Sequence, residues 1–274
     1  MTIADALSTA AALGLARLDA QLLLLQLLGQ SGAGRGWLLA HDHEDLDTAS
    51  SERFIAQCRR RAAGEPLAYL TGEKEFFGLP LQVDARVLVP RPDTETLVEW
   101  ALEVLRNQSA PRVLDLGTGS GAIALAIQSA RPDAQVEGVD QSRGALEVAT
   151  SNARRLRLSV QFRQGCWLEG AERYDLIVSN PPYIAAADPH LGALRYEPPD
   201  ALIAGQDGLD DLRAIVDAAP AHLQPGGWLL LEHGWQQAEA VRRMLTEAGL
   251  AGTASRRDLA GIERCSGARR LELG

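Results

Sequence analysis

The segment VLDLGTGSGAIALA, residues 113–126, joins three local signals in one run of the chain. It starts as a short apolar run typical of a buried strand, passes through glycines, and continues as small residues that favour a helix. Glycines allow a sharp backbone turn and let a ligand approach where a Cβ would block it. The segment therefore predicts a strand–turn–helix unit with a ligand at the turn, formed by Gly117, Thr118, Gly119, Ser120 and Gly121.

Similar units on both sides predict a mostly parallel sheet. Strand-like runs alternate with helical stretches, and this alternation is the signature of βαβ units. Near the C-terminus, residues 252–261 and 268–274 predict a closing antiparallel hairpin, with the glycines of 261–267 forming its turn. The predicted strands are 112–116, 134–140, 159–163, 174–179 and 227–233, and the predicted helices include 122–129, 143–157, 209–219 and 236–248.

The first part of the chain has a different pattern. Ile3, Leu7, Ala10 and Leu13 recur at helical spacing, and the leucine run 22–28 is too short for the roughly 20 residues of a membrane span. We predict a helical domain at residues 1–75, a linker or β-hairpin at 76–92, and a larger α/β domain at 93–274.

Composition and charge limit the classes of partner. The 274 residues carry a formal net charge of −9, whereas a protein that binds duplex phosphates usually presents a broad basic surface. The three cysteines are far apart and outside any metal-binding or disulfide spacing, and the N-terminus lacks the charge order of a signal peptide. We expect a cytoplasmic monomer without a metal, with no direct contact to nucleic acid or membrane.

An acidic residue after the next strand points to a nucleoside. Asp140 lies 23 residues after Gly117, where a carboxylate can accept both hydroxyls of a ribose. The glycines run GxGxG instead of the dinucleotide pattern GxGxxG, which is more like S-adenosylmethionine binding, without a pyrophosphate. Asp115 favours the same choice, because a carboxylate there suits the cationic amino group of the methionine part. A helix cap is the structural alternative for Asp115.

The hexapeptide SNPPYI, residues 179–184, follows a strand and so lies at the same edge of the sheet. Prolines lack N–H donors and hold a stiff path, so nearby carbonyls point outward as fixed acceptors. If the Asn180 oxygen and the Pro181 carbonyl each accept one N–H of a planar NH2 group, its lone-pair face turns toward an electrophilic methyl. Tyr183 could lie flat against that planar group and exclude water. We expect catalysis and substrate binding at Asn180, Pro181, Pro182 and Tyr183.

These motifs carry a family resemblance. The α/β part resembles a class I S-adenosylmethionine-dependent methyltransferase of amino groups, and the whole chain is similar to the peptide chain release factor glutamine N5-methyltransferases, the PrmC/HemK family. LVPRPDTE is the most discriminating motif, since NPPY occurs in several amino-methyltransferases. The matching motifs are GEPLAYLTGEKEFFG (64–78), LVPRPDTE (88–95), the glycine segment, SNPPYI, YEPPDALIAGQDGL (196–209) and LEHGWQQ (231–237).

The resemblance implies a Rossmann-like, mostly parallel sheet with a small helical N-terminal domain. It also implies methyl transfer to the glutamine of the GGQ loop in class I release factors, with S-adenosyl-L-homocysteine as the product. Trp167 would lie beside the adenine of the donor. Cys166 stands where the family often has an acidic residue, so the adenine amino group should find another acceptor. The implied donor site is Asp115, Gly117 to Gly121, Asp140, Trp167 and Asn180, and the implied substrate site adds Arg91 and Glu95 to residues 180–183.

Two other functions fit parts of the pattern. An adenine-N6 methyltransferase acting on DNA or RNA would also orient a planar amino group, but the charge of −9 and the lack of a basic domain after the catalytic core oppose it. A non-catalytic adaptor would keep the nucleoside pocket only for stability, and turnover of the donor would exclude it.

Overall fold

The computed structural model describes residues 1–271. The chain divides into two compact units, Met1–Glu73 and Lys74–Gly274. The first unit is helical and packs Leu23, Leu24 and Phe54, all fully buried, into its own core. Its helices are α1 (Ile3–Ala12), α2 (Arg17–Leu27), α3 (Arg35–Ala40), α4 (Thr48–Ala62) and α5 (Leu67–Thr71).

Local capping explains where these helices begin. Thr2 and Asp5 form a capping box on α1, with the Asp5 N–H donating to Thr2 Oγ1 at 3.1 Å. Asp47 caps α4 by accepting the N–H of Ser50 at 2.8 Å. Within residues 1–271, every helix is too short or too polar to cross a bilayer.

A hairpin and then an α/β region follow along the chain. The predicted α/β class, with a mostly parallel sheet and an antiparallel C-terminal end, is confirmed. The elements are β1 (Glu73–Phe76), β2 (Leu79–Gln82), α6 (Glu95–Val104), β3 (Arg112–Leu116), α7 (Ala122–Ala130), β4 (Gln135–Asp140), α8 (Arg143–Leu156), β5 (Val160–Gln164), β6 (Tyr174–Ser179), α9 (Asp210–His222), β7 (Leu223–Glu232), α10 (Ala238–Glu247), β8 (Ala251–Arg257) and β9 (Glu263–Arg269).

The order of the strands positions the site. The seven-stranded sheet runs β5-β4-β3-β6-β7-β9-β8, and the strands from β5 to β7 are parallel. After β3 the chain proceeds to one side of the sheet, and from β6 it proceeds to the other, so the order reverses between these two strands. Ligands of open α/β sheets bind outside the carboxyl ends of the strands at such a reversal.

The central strands β3 and β6 are buried on both faces, as parallel strands covered by helices usually are. Val113 of β3 belongs to a core shared with α6 and α7, while Leu114 belongs to a core shared with α9 and α10. Leu176 and Ile177 of β6 divide between the two cores in the same way, and all four residues are fully buried. These two cores pack against opposite faces of β3 and β6 and so position the loops that leave these strands.

The predicted position of the last strand is wrong. The strand is β9, Glu263–Arg269, instead of residues 268–274, and residues 272–274 lie outside the described part of the chain. Gly267 is a packing residue in mid-strand rather than a turn residue. A Cβ on it would lie 2.4 Å from Leu230 Cδ2 and 2.8 Å from the Leu229 oxygen. Asp258 closes the turn itself, because its Oδ1 accepts the N–H of Ile262 at 3.0 Å.

Gly267→Ala is expected to destabilise the fold by about 1–3 kcal/mol, because the added methyl meets a backbone oxygen that cannot move aside cheaply. Urea unfolding followed by circular dichroism measures this change. Gly192→Ala is the matched control, since a Cβ there meets nothing within 4 Å. Equal midpoints for the two variants would contradict the close packing of β9 on β7.

Candidate active site at the carboxyl edge of the sheet

A cavity of about 600 Å³ opens where β3, β4 and β6 end. This volume is in the usual range for a small-molecule site. The wall is made by the loops after these strands and by residues 86–94, which precede α6. Among the residues predicted from the sequence, the wall contains Arg91, Gly117, Thr118, Gly119, Ser120, Asp140, Trp167, Asn180 and Pro182.

The glycine loop after β3 has the backbone that its sequence predicts. Gly117 and Gly119 have φ of +67° and +55°, a region that residues with a Cβ rarely occupy. The Thr118 N–H donates to the Val139 oxygen at 3.0 Å and fastens the loop to β4. Gly121 is the N-cap residue just before α7 and does not line the cavity.

Asp140 supports this loop and also faces the cavity. Its Oδ2 accepts the Gly119 N–H at 2.9 Å, and its Oδ1 accepts the Ser142 N–H at 2.8 Å. A carboxylate oxygen has more than one acceptor position, so each can accept a further hydrogen bond from a ligand. Burial raises the pKa of Asp140, while the Ser142 and Gly119 N–H groups act in the opposite direction.

Asp115 lies beneath the loop, fully buried, and does not line the cavity. Its Oδ2 accepts from Thr118 Oγ1 at 2.6 Å and from the Ala124 N–H, in the first turn of α7, at 3.2 Å. Desolvation raises the pKa of Asp115 to about 7. Its Oδ1 is buried and has no hydrogen-bond partner among residues 1–271. The loop thus covers an incompletely satisfied carboxyl, which is suited to a cation bound above it.

The Trp167 ring packs against the glycine loop at Gly117. A Cβ on Gly117 would lie 3.4 Å from the Trp167 ring, so the glycine lets the backbone run directly along the indole. Trp167 has a φ of +45°, which is unusual for a residue with a side chain. Asp211 of α9 and the exposed Cys166 also line the cavity. Burial raises the pKa of Asp211, while Trp167 acts to lower it. Sequence reasoning missed Asp211, since a second acid at the start of α9 also has a simple role at a helix N-terminus.

Asn180 leaves β6 on the cavity wall. Its Nδ2 donates to Thr94 Oγ1 at 3.2 Å. Pro182 also lines the cavity, whereas Pro181 is buried and does not. Sequence reasoning missed Thr94, although it lies inside the LVPRPDTE motif. What marks Thr94 is that its hydroxyl is buried just before α6. A single sequence does not show whether a threonine is buried.

Tyr183 turns away from this wall. It packs against the core shared with α9 and α10, and its hydroxyl donates to Glu232 Oε1 at 3.3 Å. Burial and then the charge of Glu232 raise the pKa of Tyr183. Stacking of Tyr183 on a substrate therefore stays a prediction.

The two residues singled out in LVPRPDTE have different positions. Arg91 lines the cavity and pairs with the buried Glu197, which also accepts the Val89 N–H at 3.0 Å. Glu95 does not line the cavity, and its Oε1 accepts the Phe77 N–H at 2.9 Å. Glu197 lies in the YEPPD motif, so the pair joins the two motifs at the cavity, a link that no sequence spacing indicates.

No group of three or more histidine, cysteine or acidic side chains is placed to hold a metal ion within residues 1–271.

Two family models match the chain. The methyltransferase small domain matches residues 94–195, and the PrmC N-terminal domain matches residues 3–72. Several curated relatives are named release factor glutamine methyltransferase. The relative from Xylella fastidiosa (strain Temecula1) is 52% identical over 264 residues, which cover 94% of this chain and 95% of that protein. Those from Bordetella pertussis and Salmonella typhimurium are 52% and 46% identical, over 93% and 90% of this chain and over 95% and 90% of their own lengths.

Solved structures of methyltransferases share the fold at low identity. A methyltransferase from Pyrococcus furiosus has a TM-score of 0.54 and 18% identity, covering 82% of this chain and all of that one. A 16S rRNA methyltransferase of T. thermophilus, solved with AdoMet and guanosine, has a TM-score of 0.55 and 23% identity, covering 72% of this chain and 49% of that one. At these identities the likeness concerns the fold alone.

Proposed function

Because this chain belongs to the release factor glutamine methyltransferase family, we propose that it methylates the side-chain amide nitrogen (N5) of the glutamine in the GGQ loop of class I peptide chain release factors. The observation that supports this most directly is that the glycine loop and Asn180 line one cavity. A donor along the loop and an amide held at Asn180 would then meet inside the same space.

The residues at the loop fit S-adenosyl-L-methionine. The glycine backbone leaves room beside the Trp167 ring, which we assign to the adenine, and the free acceptor positions of Asp140 suit the ribose hydroxyls. The Asp115 carboxyl beneath the loop, with its unsatisfied oxygen, supplies a negative potential suited to the amino group of the methionine part. When bound, the donor supplies an electrophilic methyl on a sulfonium sulfur, and S-adenosyl-L-homocysteine is the product.

In the proposed mechanism the enzyme acts by alignment. The Asn180 oxygen and the Pro181 carbonyl each accept one N–H of the glutamine amide, so that its nitrogen lone pair faces the methyl carbon. The nitrogen–carbon bond forms as the carbon–sulfur bond breaks, and the sulfur keeps the electron pair. Positive charge grows on the nitrogen, and acceptor oxygens that are oriented before the reaction stabilise it. The nitrogen then loses a proton to solvent, which leaves a neutral methylated amide.

The remaining assignments follow from the same proposal. The chain would act as a cytoplasmic monomer on a protein substrate, and its net charge of −9 favours a basic protein surface over nucleic acid as its partner. The adenine-N6 alternative is disfavoured because relatives matching more than 90% of the chain are named for glutamine.

Mass spectrometry of the GGQ peptide tests the proposal. Release factor incubated with the enzyme and donor should gain the mass of one methyl group in place of a hydrogen, localised on the glutamine side chain. A release factor with that glutamine replaced by alanine is the control and should gain nothing. A tritiated donor offered with DNA or RNA covers the alternative substrate. Methyl transfer to nucleic acid, or no transfer to the glutamine, would contradict the proposal.

A further inference from the structure

Exposed apolar side chains gather at one edge of the α/β unit. Among the described residues of this unit, 74–271, the exposed large apolar side chains are Trp235, Leu259, Ile262 and Leu271. Trp235, 65% exposed, lies between β7 and α10, while the fully exposed Leu259 and the partly exposed Ile262 lie in the turn between β8 and β9. We call Trp235, Leu259 and Ile262 the apolar rim.

The strand register places the apolar rim at the carboxyl edge of the sheet. β7 is parallel to β6, and β9 is antiparallel to β7, with Glu232 opposite Cys265. The end of β7 and the start of β9 therefore lie side by side, and the His233 N–H donates to the Arg264 oxygen at 3.0 Å. Both loops that carry the apolar rim leave from this end of the paired strands, at the edge where the cavity opens. Exposed apolar side chains that lie together on a soluble protein usually mark a surface that a partner covers.

The loop that carries Trp235 is fastened to the NPPY stretch. Gln237 accepts the Gly234 N–H at 2.8 Å through its Oε1, and its Nε2 donates to the Tyr183 oxygen at 3.1 Å. Trp235 therefore lies on a short closed turn that is hydrogen-bonded to the segment holding Asn180.

The turn between β8 and β9 is fastened to the segment before α6. Asp258 shapes this turn by accepting the Ile262 N–H at 3.0 Å. Arg264 donates to Asp258 at 3.2 Å and pairs at 3.3 Å with Asp93, which directly precedes Thr94 of the cavity wall. The loops of the apolar rim are thus held in place beside the cavity by hydrogen bonds, which lowers the entropic cost of docking a partner on them.

The apolar rim lies on the substrate side of the cavity. In the proposed complex the donor lies along the glycine loop after β3, and the substrate amide meets Asn180 at the end of β6. The strands beyond β6, away from β3, are β7, β9 and β8. Neighbouring strands are about 4.8 Å apart, so the start of β9 lies roughly 10 Å from the end of β6. An ordinary protein interface covers about 800 Å² on each partner, which is about 30 Å across. A folded protein that delivers a glutamine side chain to Asn180 from this side therefore covers the apolar rim.

Resting on the function proposed above, we propose that the apolar rim is the surface on which the release factor docks, through an apolar patch beside its GGQ loop. Tryptophan is enriched among the residues that contribute most to protein interfaces. An apolar contact also favours a protein substrate over nucleic acid, whose backbone is charged. A second copy of this chain fits the apolar rim less well, because an interface about 30 Å across would extend over the cavity opening and block the substrate.

Trp235→Ala and Leu259→Asp test the surface on the intact chain. Calorimetry measures binding of the release factor to enzyme saturated with S-adenosyl-L-homocysteine. We expect each variant to raise this Kd about 10- to 30-fold, the usual effect of losing a central interface contact, and to raise KM for the release factor in parallel. The donor Kd, and kcat at saturating release factor, should stay within about two-fold of wild type, because docking contacts leave the chemical step unchanged.

Leu271→Asp is the matched control. Leu271 is an exposed leucine that follows β9, toward the opposite edge of the sheet, because β9 runs antiparallel to β7. This variant should bind the release factor as wild type does. If Trp235→Ala melts at a lower temperature than wild type, Leu259→Asp decides, since the Leu259 side chain is fully exposed.

Three results would overturn the proposal, and they are distinguishable. A wild-type Kd in either rim variant would overturn the docking surface alone if wild type methylates the glutamine. Sedimentation of wild type as a dimer that Leu259→Asp dissociates would assign the apolar rim to a second copy. Failure of wild type to methylate the glutamine would overturn the proposed function, and with it the role of the apolar rim.

Discussion

Asn180→Ala is expected to lower kcat for glutamine methylation about 10²–10³-fold, while donor affinity changes less than about three-fold. The substitution removes an oxygen that is fixed before the substrate arrives, because Thr94 holds the other end of the amide at 3.2 Å. Such an acceptor stabilises charge only as it grows on the substrate nitrogen, so its loss affects turnover more than donor binding.

Single-turnover kinetics with tritiated donor and calorimetry with donor alone measure these two quantities. Asn107→Ala is the control, since Asn107 is an exposed asparagine that follows α6 and lies outside the cavity wall. A parallel loss of turnover and donor affinity would instead support only the place in the donor site that the family resemblance implies for Asn180, and unchanged turnover would remove it from the mechanism.

Asp140→Ala is expected to weaken donor binding at least about 50-fold, because two hydroxyls lose a charged acceptor. Part of the loss will come from the loop, since Asp140 also accepts the Gly119 and Ser142 N–H groups. A donor analogue that lacks the ribose 2′-hydroxyl separates the two contributions. It should bind wild type more weakly than the natural donor does, but it should bind Asp140→Ala as well as the natural donor does.

Calorimetry on both ligands and both proteins completes the cycle. Asp47→Ala controls for loss of an aspartate that accepts a backbone N–H, because Asp47 caps α4 and is absent from the cavity wall. An equal penalty for the analogue in wild type and Asp140→Ala would show that Asp140 does not hold that hydroxyl.

The motifs of the sequence predicted the family, and relatives at 52% identity over more than 90% of the chain confirm it. The bounds of β3 and β6 were also predictable, since both strands occupy the predicted ranges 112–116 and 174–179. The final strand was not, because its centre consists of the small residues Ser266 and Gly267, and Gly267 pairs with Leu230 where a Cβ would not fit. Small residues are equally common in turns, so only their neighbours show which role they have.

The residues at the site also divide into those that the sequence could predict and those that only their neighbours in the fold reveal. Asp140 and Asn180 directly follow or end a strand, so chain order alone places them at one edge of the sheet. Thr94, Glu197, Asp211 and Glu232 have no such signal. Their roles come from partners far along the chain, as with Arg91 and Glu197, 106 residues apart.

Local sequence was thus enough to predict a glycine turn, a stiff Asn-Pro-Pro segment and the edge of the sheet where both occur, because strand period and backbone stiffness act over a few residues. The direction of the Asn180 amide and the environment of the Glu232 carboxyl arise only after folding. Hydrogen-bond direction and desolvation depend on atoms that the sheet brings together, and Asn180 meets Thr94 across 86 residues of chain.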